Sequence, residues 1–373
     1  NTFRHILIMN LRDYGYRYVQ IEINNTCNMA CTFCPLPIRV TPNEVIDKNQ
    51  VFKILDELSY YQGIDFVAFH HFGEPLLNKN LWEYIDYAHS LKFKTHLVTN
   101  GLLLKKSNVD RLIKHSPTFL KISAQIINDE HHEEVRGIKM NAAQYIDQVT
   151  TCIARLNNET HSIEEIRTDL AVSLEFTGIN LIKEKLKQKL GAAELEDPSI
   201  YHPTLKKLRP HLINFLKMVE GKTKNFKFSE TKLDENIDKY NYINFKQKLF
   251  ETLYEINENN LLTGKKFWNG RKMSQYYPVQ SAKCGTEILG VLANGSVVMC
   301  CLDYQGKTTL GNIFNNSLES ILNKNKQVID DLRIGTLHFD GCKRCLGSPT
   351  KYGAKIKNAK NILTRLISQN RIL

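Results

Sequence analysis

Three of the nine cysteines in this 373-residue chain fall close together, in the run Asn25-Thr26-Cys27-Asn28-Met29-Ala30-Cys31-Thr32-Phe33-Cys34-Pro35. Thiolates at this spacing suit an iron–sulfur cluster, and three ligands on a four-iron cluster leave one iron open to a further molecule. A structural zinc site ordinarily takes four ligands in C-x2-C pairs, so the C-x3-C-x2-C triplet suits it less well. A second set lies beyond residue 280: Cys284, then Cys300, then Cys342-Lys343-Arg344-Cys345. Two distant halves thus deliver four ligands, a set that fits iron–sulfur or zinc. Cys301 is left over beside a ligand, and Cys152 falls on an apolar helical face, where it reads as core.

The elements that must position these thiols alternate. Short β-rich runs lie at Tyr18 to Asn24, Asp65 to His70, Thr95 to Thr99, Phe119 to Ala124 and Asp169 to Phe176. Helical patterns fall between them at 49–61, 79–91, 108–115 and 141–157, with another at 179–190. Repeated β then α means a parallel sheet with right-handed crossovers. The expected fold is therefore α/β, a partial (β/α)6 TIM-like barrel, with a sixth strand placed at Asn225 to Ser229. The triplet follows the first strand directly and so sits at the C-terminal end of the barrel, where active sites of such folds collect.

The barrel is assigned residues 1–230, and a polar helical linker or lid 231–275, with amphipathic stretches near 204–220 and 240–258. Residues 276–350 form a small module whose Asn294-Gly295 turn between apolar runs predicts a β-hairpin. A basic helix over 351–373 closes the sequence.

A content of 42% hydrophobic and 24% charged residues fits a soluble globular protein and excludes collagen, coiled coil and bulk disorder. No apolar run reaches the roughly 18 residues a spanning helix needs, and the start lacks a signal-peptide pattern. The expected location is the cytoplasm, where cysteines serve metal or catalytic roles more than disulfides. Fifty Lys and Arg against 39 Asp and Glu give +11, which suits an anionic partner or simply a solvated basic surface.

With the triplet, its Phe33 and its place after strand one, the sequence resembles the radical S-adenosylmethionine (radical SAM) enzymes. The resemblance implies a [4Fe-4S] cluster held by Cys27, Cys31 and Cys34 whose open iron binds S-adenosylmethionine. Gly73-Glu74-Pro75 resembles the family's G-G-E motif with Phe72 in place of the first glycine, so Glu74 is the expected partner of the cofactor's ammonium group. Asn100, Ser123 and Glu175 match places where the family contacts the rest of the cofactor, and Arg136 matches a carboxylate clamp. The span beginning at Cys284 is similar to the SPASM extension of these enzymes. No cysteine follows Cys345, so the set resembles the shorter Twitch form, with one auxiliary [4Fe-4S] cluster on Cys284, Cys300, Cys342 and Cys345.

What this implies is hydrogen-atom abstraction from an unactivated C–H bond, with electrons from a flavodoxin or ferredoxin-type reductant. Oxidation would follow if the auxiliary cluster takes an electron and a base, for which Asp303 is the candidate, takes a proton. Epimerisation would follow if Cys301 returns a hydrogen atom. The single auxiliary cluster, and the lack of a recognisable leader-peptide-binding domain before the barrel, lean toward a small polar substrate of aminosugar, cyclitol or nucleotide-sugar type. The alternatives are peptide modification and, in another class, a zinc-stabilised nucleic-acid-binding protein using its +11 charge.

Overall fold

Alternating apolar residues on five consecutive strands generate the centre of the molecule. β2 (Tyr18–Ile21), β4 (Phe66–Ala68), β5 (Thr95–Thr99), β6 (Phe119–Ser123) and β7 (Glu165–Val172) run parallel and adjacent. The computed structural model describes residues 9–31, 34, 36, 39, 41–124, 133, 136–160, 162–172, 205–223, 227–237, 242–248, 251–257, 277–282, 284–300, 303–348 and 351–359. Phe33, Glu175, Cys301 and the expected helix at 179–190 lie outside the described residues. A two-stranded pair, β1 (Met9–Asn10) with β3 (Tyr61–Gln62), stands apart from the main sheet.

Side chains of a strand alternate between its two faces. Val19, Ile21, Val67, Leu97, Leu120 and Ile122 are fully buried on one face, beneath the connecting helices. Those helices are α1 (Lys48–Ser59), α2 (Leu81–Ser90), α3 (Lys106–His115) and α4 (Ala142–Glu159). They present Leu55, Ile85, Leu112 and Val149 to the sheet, each contributing about 1.5–3 kcal/mol on burial. Cys152 is buried in this layer, as expected. Asp47 and Asn141 cap α1 and α4 by accepting from backbone N–H groups in the first turn.

The sheet differs from expectation at both edges. Residues 227–229 carry no strand. A sixth parallel strand comes instead from the far end of the sequence: β10 (Ile288–Val291) lies beside β2, with Ile288 opposite Tyr18 and Val291 opposite Ile21. On the other edge, β8 (Tyr242–Lys248) and β9 (Glu251–Asn257) form an antiparallel hairpin against β7, where the polar helical linker or lid over 231–275 was expected. Ten strands of the described residues therefore share one sheet, in the order β12-β11-β10-β2-β4-β5-β6-β7-β8-β9.

The Asn294-Gly295 hairpin forms as predicted, joining β10 to β11 (Ser296–Val298), and β12 (Thr309–Asn312) follows. Gly295 takes φ +80°, and Asn294 Oδ1 accepts from the Ser296 N–H at 3.0 Å. The 276–350 segment is thus bonded into the barrel's own sheet. α5 (Leu205–Lys222) packs on α4 and leads to α6 (Glu230–Ile237). After β12 come α7 (Leu318–Lys324), α8 (Lys326–Ile334), α9 (Asp340–Cys345) and a helix over 351–359. No described helix is long and apolar enough to cross a membrane.

Candidate active site

The cysteine loop leaves the end of β2 and is tied down on both sides. Glu22, next after β2, is completely buried and receives Arg39 as a bidentate pair at 2.7 and 3.1 Å. Its second oxygen also accepts from the Ala293 N–H at 3.1 Å, linking loop, strand and hairpin module. Asn25 bonds both Glu44 N–H and Pro42 carbonyl, fixing the returning chain. Between these anchors Cys27, Cys31 and Cys34 face one another closely enough to act on each other electrostatically. Burial pushes all three thiols up, Cys34 to about 12.

Glu74 enters from the loop after β4 and is 2% exposed. Its carboxylate accepts from Thr99 Oγ1 at 2.7 Å, the Asn100 N–H at 2.8 Å and the Leu76 N–H at 3.1 Å. Burial raises its pKa, and those three donors oppose the rise. The two loops are locked backbone to backbone. The Glu74 N–H donates to the Thr26 carbonyl at 2.8 Å, and a Cβ on Gly73 would lie 2.2 Å from the Asn24 carbonyl oxygen. Glycine is therefore required at 73, as the motif predicts. Phe72, in the place of the family's first glycine, packs its ring 5.5 Å from that of Tyr304 in the hairpin module.

Asn100 brings β5 into the same place. Its Nδ2 donates to Asn28 Oδ1 at 2.7 Å and lies 3.5 Å from Cys27 Sγ. Gly101 follows at φ +82°, and Tyr145 and Gln148 of α4 hold the turn by its carbonyls. Ser123 ends β6, where its carbonyl accepts from Arg136 at 3.0 Å. Arg136 is not a surface residue: it is 2% exposed, and its guanidinium lies against Met29 Sδ at 3.1 and 3.3 Å. Its charge draws the Cys31 thiol down against the upward effect of burial. Glu74, Asn100, Ser123, Gly73 and the triplet are therefore brought together.

The second cysteine set gathers where the module meets the chain's beginning. Cys342 and Cys345 lie one turn apart on α9 and so share a face. Cys284 and Cys300 flank the β10–β11 hairpin, and both act on Cys342, whose thiol burial pushes up to about 12. The described cysteines form no disulfide. The thiols gather without converging: among the described residues no three metal-ligating side chains close on a single-ion site. Asp303 lies after Cys300, but its oxygens accept from Gln305 N–H and from Thr308 N–H and Oγ1, capping its own turn.

Tyr16 and Asn28 carried no signal in the sequence. The Tyr16 hydroxyl and Asn28 Nδ2 are buried without a hydrogen-bond partner. Orphaned buried polar atoms are uncommon in folded proteins. At both thiol sites they are what is expected where a polar, sulfur-rich group completes the structure, so the residues fit iron–sulfur clusters.

The chain is thus an α/β protein whose parallel sheet carries cysteines at its strand ends and a second cysteine set at its edge. Residues 21–163 match the Radical SAM superfamily, and residues 283–346 match SPASM, an iron–sulfur cluster-binding domain. The chain therefore carries a radical SAM domain and, at its C-terminal side, an SPASM domain. These imply a [4Fe-4S] cluster bound to S-adenosylmethionine and auxiliary iron–sulfur binding, respectively.

The PqqA peptide cyclase of Granulibacter bethesdensis is 26% identical over 136 residues, 34% of this chain and 35% of that protein. The S-adenosyl-L-methionine-dependent 2-deoxy-scyllo-inosamine dehydrogenase of Niallia circulans is 28% identical over 108 residues, 27% of this chain and 41% of that one. The matches thus span well under half of either relative. The solved structure of native anSMEcpe with bound AdoMet shares the fold at TM-score 0.50 and 15% identity, covering 95% of this chain and 100% of that one.

Proposed function

We propose that this chain is a radical SAM enzyme acting on a small polar substrate of aminosugar, cyclitol or nucleotide-sugar type, which it oxidises or epimerises. Cys27, Cys31 and Cys34 hold the cluster that binds S-adenosylmethionine, and Cys284, Cys300, Cys342 and Cys345 hold one auxiliary [4Fe-4S] cluster. When bound, the first cluster and S-adenosylmethionine supply a 5'-deoxyadenosyl radical that can take a hydrogen atom from an unactivated C–H bond. The observation that carries this reading is the buried Glu74 carboxylate, locked backbone to backbone against the cysteine loop.

In this reading Glu74 binds the cofactor's ammonium group, held in place by Thr99 and Asn100. Asn100, Ser123 and Glu175 position the rest of the cofactor, Phe33 lies beside the last cysteine, and Arg136 steadies the loop through Met29. Cys301 is the proposed hydrogen-atom donor for epimerisation; for oxidation Asp303 is the proposed proton acceptor, and the auxiliary cluster would take the electron. To act, Asp303 gives up its bonds to Thr308. Support for a polar substrate comes from the sheet face turned away from the helices. There Gln20 Oε1 and His70 Nδ1 are buried and unpartnered, and His96 stands 5.1 Å from His70, ring centre to ring centre. A flavodoxin or ferredoxin supplies the electrons.

The similarity to a peptide cyclase favours peptide modification as the second reading. Reaction in D2O with candidate substrates of both kinds tests the proposal. A two-electron oxidised small molecule, or one with deuterium at the reacting carbon that is lost in Cys301→Ala, supports it. A modified peptide with no small-molecule turnover overturns it.

A further inference from the structure

Tyr16 sits between the barrel's first strand and the second cysteine set. It is 1% exposed, and its hydroxyl has no hydrogen-bond partner. Its position is fixed from three sides. The Tyr16 N–H donates to the Leu11 carbonyl at 3.1 Å, and the Arg333 guanidinium lies 5.4 Å from the ring centre. Arg333 also grips the preceding turn, donating to the Tyr14 carbonyl at 3.1 Å and the Gly15 carbonyl at 2.6 Å. A Cβ on Gly15, which takes φ +68°, would collide with that guanidinium. The next residue's backbone N–H, that of Arg17, donates to the Glu287 carbonyl at 2.8 Å, and Tyr18 pairs with Ile288, which places Tyr16 beside the segment that follows Cys284; the thiols of Cys300, Cys284 and Cys342 act on it electrostatically.

Leaving a buried donor unmet costs about 1–3 kcal/mol, so a fold that fixes one so firmly has an acceptor for it in the loaded protein. The acceptors the second site offers when loaded are thiolate and sulfide sulfurs. Hydrogen bonds to such sulfurs are among the factors that set a cluster's reduction potential. A donor favours the more negatively charged reduced form and so raises the potential.

We propose that the Tyr16 hydroxyl donates a hydrogen bond to a sulfur of the auxiliary cluster and holds its reduction potential up. This rests on the reading of Cys284, Cys300, Cys342 and Cys345 as an iron–sulfur site. The test is a redox titration followed by electron paramagnetic resonance on the full chain carrying alanine at Cys27, Cys31 and Cys34, with only the auxiliary cluster loaded. Tyr16→Phe is expected to move the midpoint to a more negative value and to remove one exchangeable-proton coupling from the reduced signal. Tyr14→Phe is the control: Tyr14 is also a buried tyrosine, but its hydroxyl already bonds Asn323, so it should move neither. A full complement of about four irons with midpoint and coupling unchanged in Tyr16→Phe overturns the proposal alone. A protein that loads no iron at this site overturns the cluster reading, and the tyrosine proposal with it.

Discussion

Replacing Gly73 by alanine tests whether the cysteine loop and the Glu74 loop must lie as close as they do. The added Cβ would stand 2.2 Å from the Asn24 carbonyl oxygen and 2.9 Å from that of Thr26. Both obstacles are backbone, so neither can turn aside. Reaching an ordinary non-bonded separation of roughly 3.5 Å takes about 1.3 Å of movement. That movement strains the 2.8 Å bond from the Glu74 N–H to the Thr26 carbonyl and the 3.2 Å bond from Asn24 Nδ2 to the Glu74 carbonyl. Overpacking of this kind destabilises by about 1–3 kcal/mol, and a misplacement near 1 Å at a reacting centre costs about 100-fold in rate. The assay is the rate of 5'-deoxyadenosine release at matched iron content, beside thermal unfolding. Gly221→Ala on α5 is the control, since nothing lies within 4 Å of the new Cβ, and it should gain about 0.5–1 kcal/mol. Wild-type rate and wild-type melting in Gly73→Ala would show that the two loops need not lie this close.

Further outcomes follow from burial and charge. Glu22→Gln leaves the Arg39 guanidinium, whose side chain is 5% exposed, without its charge partner; thermal or denaturant unfolding should show a loss of about 3–5 kcal/mol. Cys152→Ala should lose about 1–2 kcal/mol through the small cavity while binding as much iron as wild type, as iron analysis will show. In the cluster-free chain, Cys34 and Cys342 carry thiols pushed from 9.0 up to about 12. The unfolded chain gives up those protons first, so stability is full below pH 9 and falls as pH rises toward 12. Denaturant melts between pH 8 and about 11 should show this decline, and Cys34→Ala should lessen it.

Much of the site was legible because its chemistry lies in contiguous residues. The triplet, Gly73-Glu74 and Asn100-Gly101 each follow a strand whose apolar alternation marks it, and a parallel sheet brings successive strand ends together. What was not legible is non-local. No local pattern says that Ile288–Val291 pairs with Tyr18–Ile21 across the length of the chain, so the sixth parallel strand was sought at Asn225 to Ser229. The hairpin Tyr242–Lys248 with Glu251–Asn257 was read as helix because short amphipathic runs fit either period, and Leu249-Phe250 between them carries no Asn-Gly turn mark. Arg136 shows the same limit at one side chain. Its place in the motif suggested a carboxylate clamp, and only the packing shows it buried against Met29.

In the proposed reading Cys27, Cys31 and Cys34 serve cleavage of S-adenosylmethionine. The direct measurement is 5'-deoxyadenosine formed by the anaerobically reconstituted chain with S-adenosylmethionine and dithionite, beside its iron and sulfide content. Product and about eight irons are expected in the wild type, and no product with about four irons in Cys34→Ala. A fully loaded wild type that forms no 5'-deoxyadenosine, or a Cys34→Ala variant that forms as much, would contradict it.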